Sequence, residues 1–258
     1  MSDLVEVSVA DGIQTIRFNR PDKKNALTSA MYAIIADAMD QAEETGDIRA
    51  NLFLGLPEIF TAGNDIMDFL AVSQSSGGLN EPVVRFLNAL GSTQTPMVAA
   101  VDGLAIGIGT TMLLHCDMVY ASPRAMFKTP FLDLALLPEA GSSLLGPRLM
   151  GQSWAFELLA LGEPFDANRA REAGFVNAVV DTDQLEETAR ATAAKIAAKP
   201  PEAMRIARAL LRGERQDVLA RIREEGDHFG ERLTSAEAKE AFMAFMEKRK
   251  PDFTKLAS

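Results

Sequence analysis

Two glycine-rich turns carry most of the chemical potential of this 258-residue chain. The first, Phe60-Thr61-Ala62-Gly63-Asn64-Asp65-Ile66, places a glycine after small residues. Backbone N–H groups there are unshielded and able to face a bound oxygen. The same residues suit a strand-to-helix turn, with Asn64 or Asp65 as the helix cap. The second, Asp102-Gly103-Leu104-Ala105-Ile106-Gly107-Ile108-Gly109, runs into an apolar helix whose first N–H groups have no helical acceptor. Close helix–strand packing asks for the same small residues. Together, the two turns could each aim one N–H at a single carbonyl oxygen. Such an oxyanion hole lowers the barrier wherever that oxygen gains charge, as in a thioester enolate.

Other chemistries lack their residues. No Gly-x-Ser-x-Gly elbow occurs, and neither histidine adjoins a hydrolase-like segment. No Gly-x4-Gly-Lys-Ser/Thr loop is found, and Gly107-Ile108-Gly109 lacks the third glycine of a dinucleotide fingerprint. Two histidines and the single Cys116 exclude zinc sites of the Cys₄, Cys₂His₂ and His₃ kinds, so no metal is expected. With 26 basic and 36 acidic residues the net charge is −10, which repels nucleic acid and anionic membrane alike. A lone cysteine fits a reducing compartment. The first residues carry neither a basic leader nor an apolar core. The most apolar stretch, Met97 to Tyr120, is interrupted by Asp102, His115 and Asp117. The chain ends Lys255-Leu256-Ala257-Ser258, which differs from the Ser-Lys-Leu peroxisomal address. A soluble cytoplasmic protein is expected.

The elements that must position these turns alternate between strand and helix. Val5, Val7 and Val9, the Asp11-Gly12 turn and Ile13 to Phe18 predict a β-hairpin. Leu27 to Ala42 has helical spacing behind a Thr28 or Ser29 cap, and Asn80 with Pro82 opens another helix. Strands are predicted at 51–56, 97–101, 117–121, 125–128 and 175–180, and a helix from Ile108 or Gly109 to Leu114. This order favours an α/β domain with covered sheet faces. The second half turns helical: Ser153 to Leu161 behind a Ser153 cap, Asp166 to Ala173, and Gln184 to Ala198. After Pro200-Pro201 come Ala203 to Leu211, Val218 to Phe229 and Ser235 to Lys248, the last behind a Thr234-Ser235-Ala236-Glu237 capping box.

Asn25-Ala26-Leu27, Phe60-x-Ala62-Gly63-x-Asp65-Ile66, Val101-x-Gly103-x-Ala105-x-Gly107-x-Gly109 and Cys116-Asp117, in that order, resemble the enoyl-CoA hydratase/isomerase (crotonase) superfamily. The likeness runs to Glu247-Lys248-Arg249-Lys250, essentially the whole chain. It implies a ββα spiral that binds acyl-CoA over residues 1–199 and a C-terminal helical trimerisation region over 200–258, giving trimers or dimers of trimers. It further implies that the N–H groups of Ala62 and Ile108 hold the thioester carbonyl. Ile108 stands where the family usually has glycine, a change that keeps the backbone donor. No cofactor is implied beyond the coenzyme A carried by the substrate. Lys24, with Lys23, and Ala26 match the loop that meets the CoA phosphates and adenine. Ala62, Gly63, Asn64, Asp65 and Ile66 match the segment along adenine and pantetheine. Lys248, with Arg249 and Lys250 and with Phe245 nearby, matches residues that reach the CoA of a neighbouring subunit. A solvated, salt-bridged face is the alternative for each basic cluster.

The two glutamates of family hydratases are replaced here by Thr111 and Phe131, neither of which can act as a carboxylate acid or base. Thr129-Pro130-Phe131 followed by Pro138-Glu139-Ala140-Gly141-Ser142-Ser143 resembles instead the Δ3,Δ2-enoyl-CoA isomerase branch. There a single glutamate, here Glu139, removes a proton from C2 and returns one to C4. Leu134, Leu136 and Leu137 around it would raise its pKa toward the useful range. Its other reading is a helix N-terminal glutamate. Three functions follow: an isomerase, a hydratase or other reaction on the same scaffold, and a CoA-thioester-binding protein without turnover. The acyl pocket is expected to draw on the loop from Ile66 to Pro82. Trp154, Phe156 and Leu158 read as core or subunit contact, His115 as a structural histidine, and His228, among Glu224, Glu225 and Asp227, as exposed. Met243 and Met246 read as packing filler.

Overall fold

The computed structural model describes residues 4–67 and 79–256. The strands form two sheets. The larger has the order β1 (Val5–Ala10), β2 (Ile13–Phe18), β3 (Ala50–Leu54), β5 (Met97–Val101), β7 (Met118–Ala121), β10 (Ala178–Val179). The smaller has the order β4 (Ile59–Thr61), β6 (Leu104–Ile106), β8 (Met126–Lys128), β9 (Phe165–Asp166). The β1–β2 and β8–β9 pairs are antiparallel and the other strand pairs parallel. Three large-sheet strands pass the chain to small-sheet strands: β3 to β4, β5 to β6 and β7 to β8. Helices α2 (Glu81–Ser92), α3 (Ile108–Thr111) and α4 (Ser142–Leu159) follow in turn. The chain advances by ββα turns, the α/β spiral that the resemblance implied.

β3 and β5 are buried along their whole length, as expected of parallel strands covered on both faces. Phe53, Met97, Ala99 and Val101 face the main core, which α1 (Ser29–Thr45) and α2 close with Met31, Ile35, Met39, Phe86 and Leu90. Leu52, Leu54, Val98 and Ala100 face α6 (Leu185–Ala197) through Leu185, Ala189 and Ala193. The expected caps are present: Thr28 accepts from Met31 N on α1, and Asn80 accepts from Val83 N on α2.

Several local expectations are corrected. The helix placed behind a Ser153 cap follows non-helical backbone at Gly151 (φ 77°, ψ 163°) and ends at Leu159, and a further helical stretch from Ser142, not expected, precedes it in α4. Gly146 and Pro147 hide its first turns from a periodicity reading. The strand expected over 175–180 shrinks to β10, because Phe175 and Val176 turn into the main core. In the capping box, Ser235 alone accepts from the helix, at Ala238 N, while Thr234 donates back to Glu231 O and Glu237 pairs with Arg232. Met243 and Met246 are exposed rather than core filler. Leu158 is core, Trp154 stacks edge-on to Phe165 beside α5 (Ala167–Ala173), and Phe156 is exposed.

Beyond Pro200 come α7 (Pro201–Arg212), α8 (Arg215–Leu233) and α9 (Ala236–Met246). Asp117 anchors α7: its carboxylate accepts from Arg208 Nε (2.8 Å), Arg212 Nε (2.9 Å) and Met97 N (2.8 Å). Val218 and Ile222 of α8 enter the main core. The last strand ends at Val179, before α6, and the packing continues across Pro200-Pro201 into α8. Among the described residues no helix is long and apolar enough to cross a membrane, and no group of three His, Cys, Asp or Glu side chains is placed to hold a metal ion.

Candidate active site

The two glycine turns lie against each other. A Cβ at Gly63 (φ 88°) would come within 2.9 Å of Ile106 O, and one at Gly109 within 2.4 Å of Thr61 Cγ2. The small residues are therefore needed for close packing, and that packing is what brings the turns to one place. The loop at Lys23–Ala26 locks onto the first turn: Thr61 Oγ1 donates to Asn25 O (2.6 Å), and Asn25 Nδ2 donates to Phe60 O (3.1 Å). The buried Asn25 and its neighbour Lys24 both adopt left-handed backbone, which swings the Lys24 side chain region outward.

This locking corrects one expected role. The N–H of Ala62 is donated to Lys24 O at 2.9 Å, so it is spent inside the fold and unavailable to a substrate oxygen. Its neighbour two residues on is oriented differently. In the bridge between Leu27 and Asn64, Leu27 N donates to Gly63 O (2.8 Å) and Asp65 N donates to Leu27 O (2.9 Å). The alternation of the extended chain turns the Asn64 N–H to the side opposite Leu27. Ile108 opens α3, where no earlier carbonyl of the helix can accept its N–H.

Asn64 and Ile108 border one cavity of about 510 Å³, with Ala62, Gly63, Ile66, Ile106 and Gly107. Phe131, Leu134 and Leu136 form an apolar wall; Phe229 of α8 and Phe242 and Phe245 of α9 form another. Lys128, Asp133 and Arg249 supply charge to the lining. Ile66 belongs to the expected pocket loop, of which 68–78 lie outside the described residues. Asp65 serves the fold: it pairs with Arg20 at 2.7 Å and accepts from Met67 N at 3.0 Å. Lys24 and Lys248 are exposed and Ala26 half-buried, and none of the three lines the cavity. Of the C-terminal group, Phe245 and Arg249 line the cavity of their own chain.

Glu139 follows directly on the Phe131–Leu136 wall. It does not line the cavity itself; it is 6% exposed and accepts a hydrogen bond from Thr111 Oγ1 at 2.5 Å, on the turn that Ile108 opens. Burial raises its pKa to about 8, the Thr111 hydroxyl opposes the rise, and the charge of Glu225 adds to it. Thr111, expected from the resemblance to stand at a hydratase carboxylate position, serves here as a donor to Glu139. Replacing Thr111 by valine should push the Glu139 pKa further up. If Glu139 acts as a base, activity at pH 7 should then fall about tenfold and recover at higher pH, read from the pH–rate profile.

The same burial has a stability consequence. Because the folded pKa (about 8) lies above the ordinary 4.5, the native state holds a proton that the unfolded chain releases between those values. Stability from this group is full below pH 4.5 and is lost as pH rises through 8, at up to about 1.4 kcal/mol per unit. Glu139→Gln should therefore raise Tm at pH 9 and leave it nearly unchanged at pH 4, measured by thermal melts at both.

Glu225, named from sequence only as a neighbour of His228, is only 6% exposed. Its Oε2 accepts from Gly141 N (2.6 Å) and its Oε1 from Ser143 N (2.9 Å), at the start of α4. The signal for it was the stripe Val218, Ile222, Glu225, Phe229, Leu233, a buried helix face with one carboxylate in it. His115 is buried, its Nε2 2.6 Å from Ala140 O, with burial pulling its pKa to about 4. It is the neutral structural histidine expected, and His228 is exposed.

Comparison with known proteins places this geometry. The profile of the enoyl-CoA hydratase/isomerase family matches residues 8–256. Enoyl-CoA delta isomerase 2 of Rattus norvegicus is 37% identical over 253 residues, covering 95% of this chain and 63% of that protein. The chain thus spans just under two thirds of that relative's length. The 1,2-epoxyphenylacetyl-CoA isomerase of Escherichia coli is 31% identical over 98% of this chain and 99% of its own. The crystal structure of an enoyl-CoA hydratase/isomerase from Pseudoalteromonas atlantica superposes with a TM-score of 0.91 at 42% identity, covering 97% of this chain and 100% of that one.

Proposed function

The chain belongs to the enoyl-CoA hydratase/isomerase family, and from that premise we propose that it shifts the double bond of a 3-enoyl-CoA to the 2,3 position. The observation that carries this reading is the Thr111–Glu139 pair: one buried, neutral-leaning carboxyl group beside the first turn of α3, with threonine and phenylalanine where two hydratase carboxylates would stand. Asp133, the carboxylate that lines the cavity among the described residues, is exposed and 3.6 Å from Lys128, a poor place for proton transfer to carbon.

Glu139, ionised, takes a proton from C2. The electron pair moves into the thioester carbonyl, and the N–H groups of Asn64 and Ile108 stabilise the oxygen that gains charge. Glu139, now protonated, returns its proton to C4 as the double bond forms between C2 and C3. One group acting first as base and then as acid needs no activated water. The reading requires the acyl carbons to pass the Ile108 turn and reach Glu139. Ala62 serves here through its place beside Gly63, and its N–H takes no part. The pantetheine arm would follow Gly63, Asn64 and Ile66, and Lys24, Ala26 and Lys248 would meet the phosphate end. Exposed Ile206, Leu210 and Leu211 on α7 and Met243 and Met246 on α9 suit burial between subunits, in keeping with a homotrimer.

Incubation with a 3-enoyl-CoA, followed by the absorbance of the conjugated thioester, tests the reading. Appearance of the 2-enoyl product is expected. No conversion, or water addition to a 2-enoyl-CoA as the faster reaction, would overturn it.

A further inference from the structure

We propose that Glu225 is a positioning residue for Glu139, through which the C-terminal helices complete the active site: each of its carboxylate oxygens holds one backbone N–H of the segment that carries the base. This deepens the isomerase reading and rests on it for the catalytic consequence. The geometry confines the segment from both ends. Glu139 is tied forward to Thr111, while Gly141 and Ser143 are tied to Glu225 at 2.6 and 2.9 Å. Between them, His115 Nε2 holds Ala140 O at 2.6 Å. Ala140 and Gly141 both lie at positive φ (61° and 68°), a backbone that persists only where the surroundings fix it.

Helix α8 is built to deliver this carboxylate. A Cβ on Gly141 would meet Val218 Cγ1 at 3.3 Å and Ile222 Cγ1 at 3.4 Å, so the glycine sits directly on the stripe that carries Glu225. One turn further along the same stripe, Phe229 lines the cavity. Arg221 reaches the same point, donating to Ser143 Oγ at 3.1 Å. A carboxylate buried on a helix face that otherwise packs apolar side chains costs stability unless its oxygens are satisfied, and both are satisfied by this one segment.

The charged and titratable groups facing the pair are few. Arg221 favours the ionised form of Glu225, burial disfavours it, and Glu225 in turn raises the pKa of Glu139. Burial pulls the His115 pKa down to about 4, so its ring is neutral near pH 7. The charge of Glu225 therefore bears on when Glu139 ionises, and its two hydrogen bonds bear on where Glu139 stands.

Glu225→Gln tests both. An amide offers one oxygen where two N–H groups need acceptors, so one of them is left facing an NH₂ group. The expected result is a plateau kcat at least tenfold lower with KM within twofold. The Glu139 titration, followed by carboxyl carbon NMR of glutamate-labelled protein and assigned by its absence in Glu139→Gln, should move to lower pH. A lower Tm with kcat and the Glu139 titration unchanged would overturn the proposal and leave Glu225 a purely structural cap. Should the variant not fold, the wild-type spectrum decides: a Glu139 curve with a second inflection from Glu225 supports the coupling, and a single unperturbed step overturns it. The NMR arm needs no turnover, so failure of the isomerase reading would show separately, as absent conversion by the wild-type enzyme.

Discussion

Replacing Glu139 by glutamine is expected to lower conversion of a 3-enoyl-CoA by about 10²–10⁴-fold, the range ascribed to a positioned acid–base group. Glutamine keeps the volume and can still accept from Thr111, so the fold and the cavity lining should survive. KM should change little, because no residue that borders the cavity is altered. The wild-type enzyme should show kcat/KM rising tenfold per pH unit up to about pH 8, where the buried carboxyl group ionises, and level above it. That limb should vanish in the variant. Full activity in Glu139→Gln would mean that another group moves the proton.

Gly63→Ala is expected to cost about 10²–10³-fold in kcat, the effect of losing one oxyanion donor. The residue sits at φ 88°, where an L side chain is strained, and its Cβ would come within 2.9 Å of Ile106 O. Relief requires the Gly63–Asn64 turn and the Ile106–Ile108 turn to separate, which parts the two N–H groups proposed to share one oxygen. Displacements of about an ångström are enough for a loss of this size. Ala62 offers a control: its side chain does not carry the donor and its N–H is bonded to Lys24 O, so Ala62→Ser should retain activity within a few-fold. Steady-state kinetics of both variants, with Tm to confirm folding, check the contrast. Equal losses in the two would argue that steric filling of the cavity, and not donor geometry, sets the rate.

Where each element's pattern was self-contained, the sequence announced it. Asp11-Gly12 adopts the positive φ values (54° and 75°) that a tight hairpin turn demands, and the apolar runs of β3 (interrupted only by Asn51) and β5 signalled buried strands. Three-residue strands such as β4, β6 and β8 carry too little pattern to say which of two sheets they join; tertiary pairing alone decides. The first half of α4 was hidden because Gly141, Gly146 and Pro147 read as breakers, although the helix begins on the N–H groups that Glu225 satisfies.

The site divides in the same way. Both turns and Glu139 could be located from residue types in order. Which N–H of the first turn faces the cavity depends on a bridge to Leu27, thirty-seven positions away from Asn64, and side-chain identity says nothing about it. Asp65 and Ala62 illustrate the converse: matching motif positions whose polar groups are spent inside the fold, the carboxylate on Arg20 and the N–H on the Lys24 carbonyl. Glu225 was masked by its neighbours, since the exposed Glu224 and Asp227 beside it gave no sign that this one carboxylate turns to the buried face.

The most direct test is a crystal structure with an acyl-CoA thioester that cannot isomerise. The thioester oxygen is predicted between the N–H groups of Asn64 and Ile108, with the Glu139 carboxylate within hydrogen-bonding reach of C2 and C4. An acyl chain that leaves the cavity away from Thr111 and Glu139, or a thioester oxygen held by other donors, would contradict the mechanism.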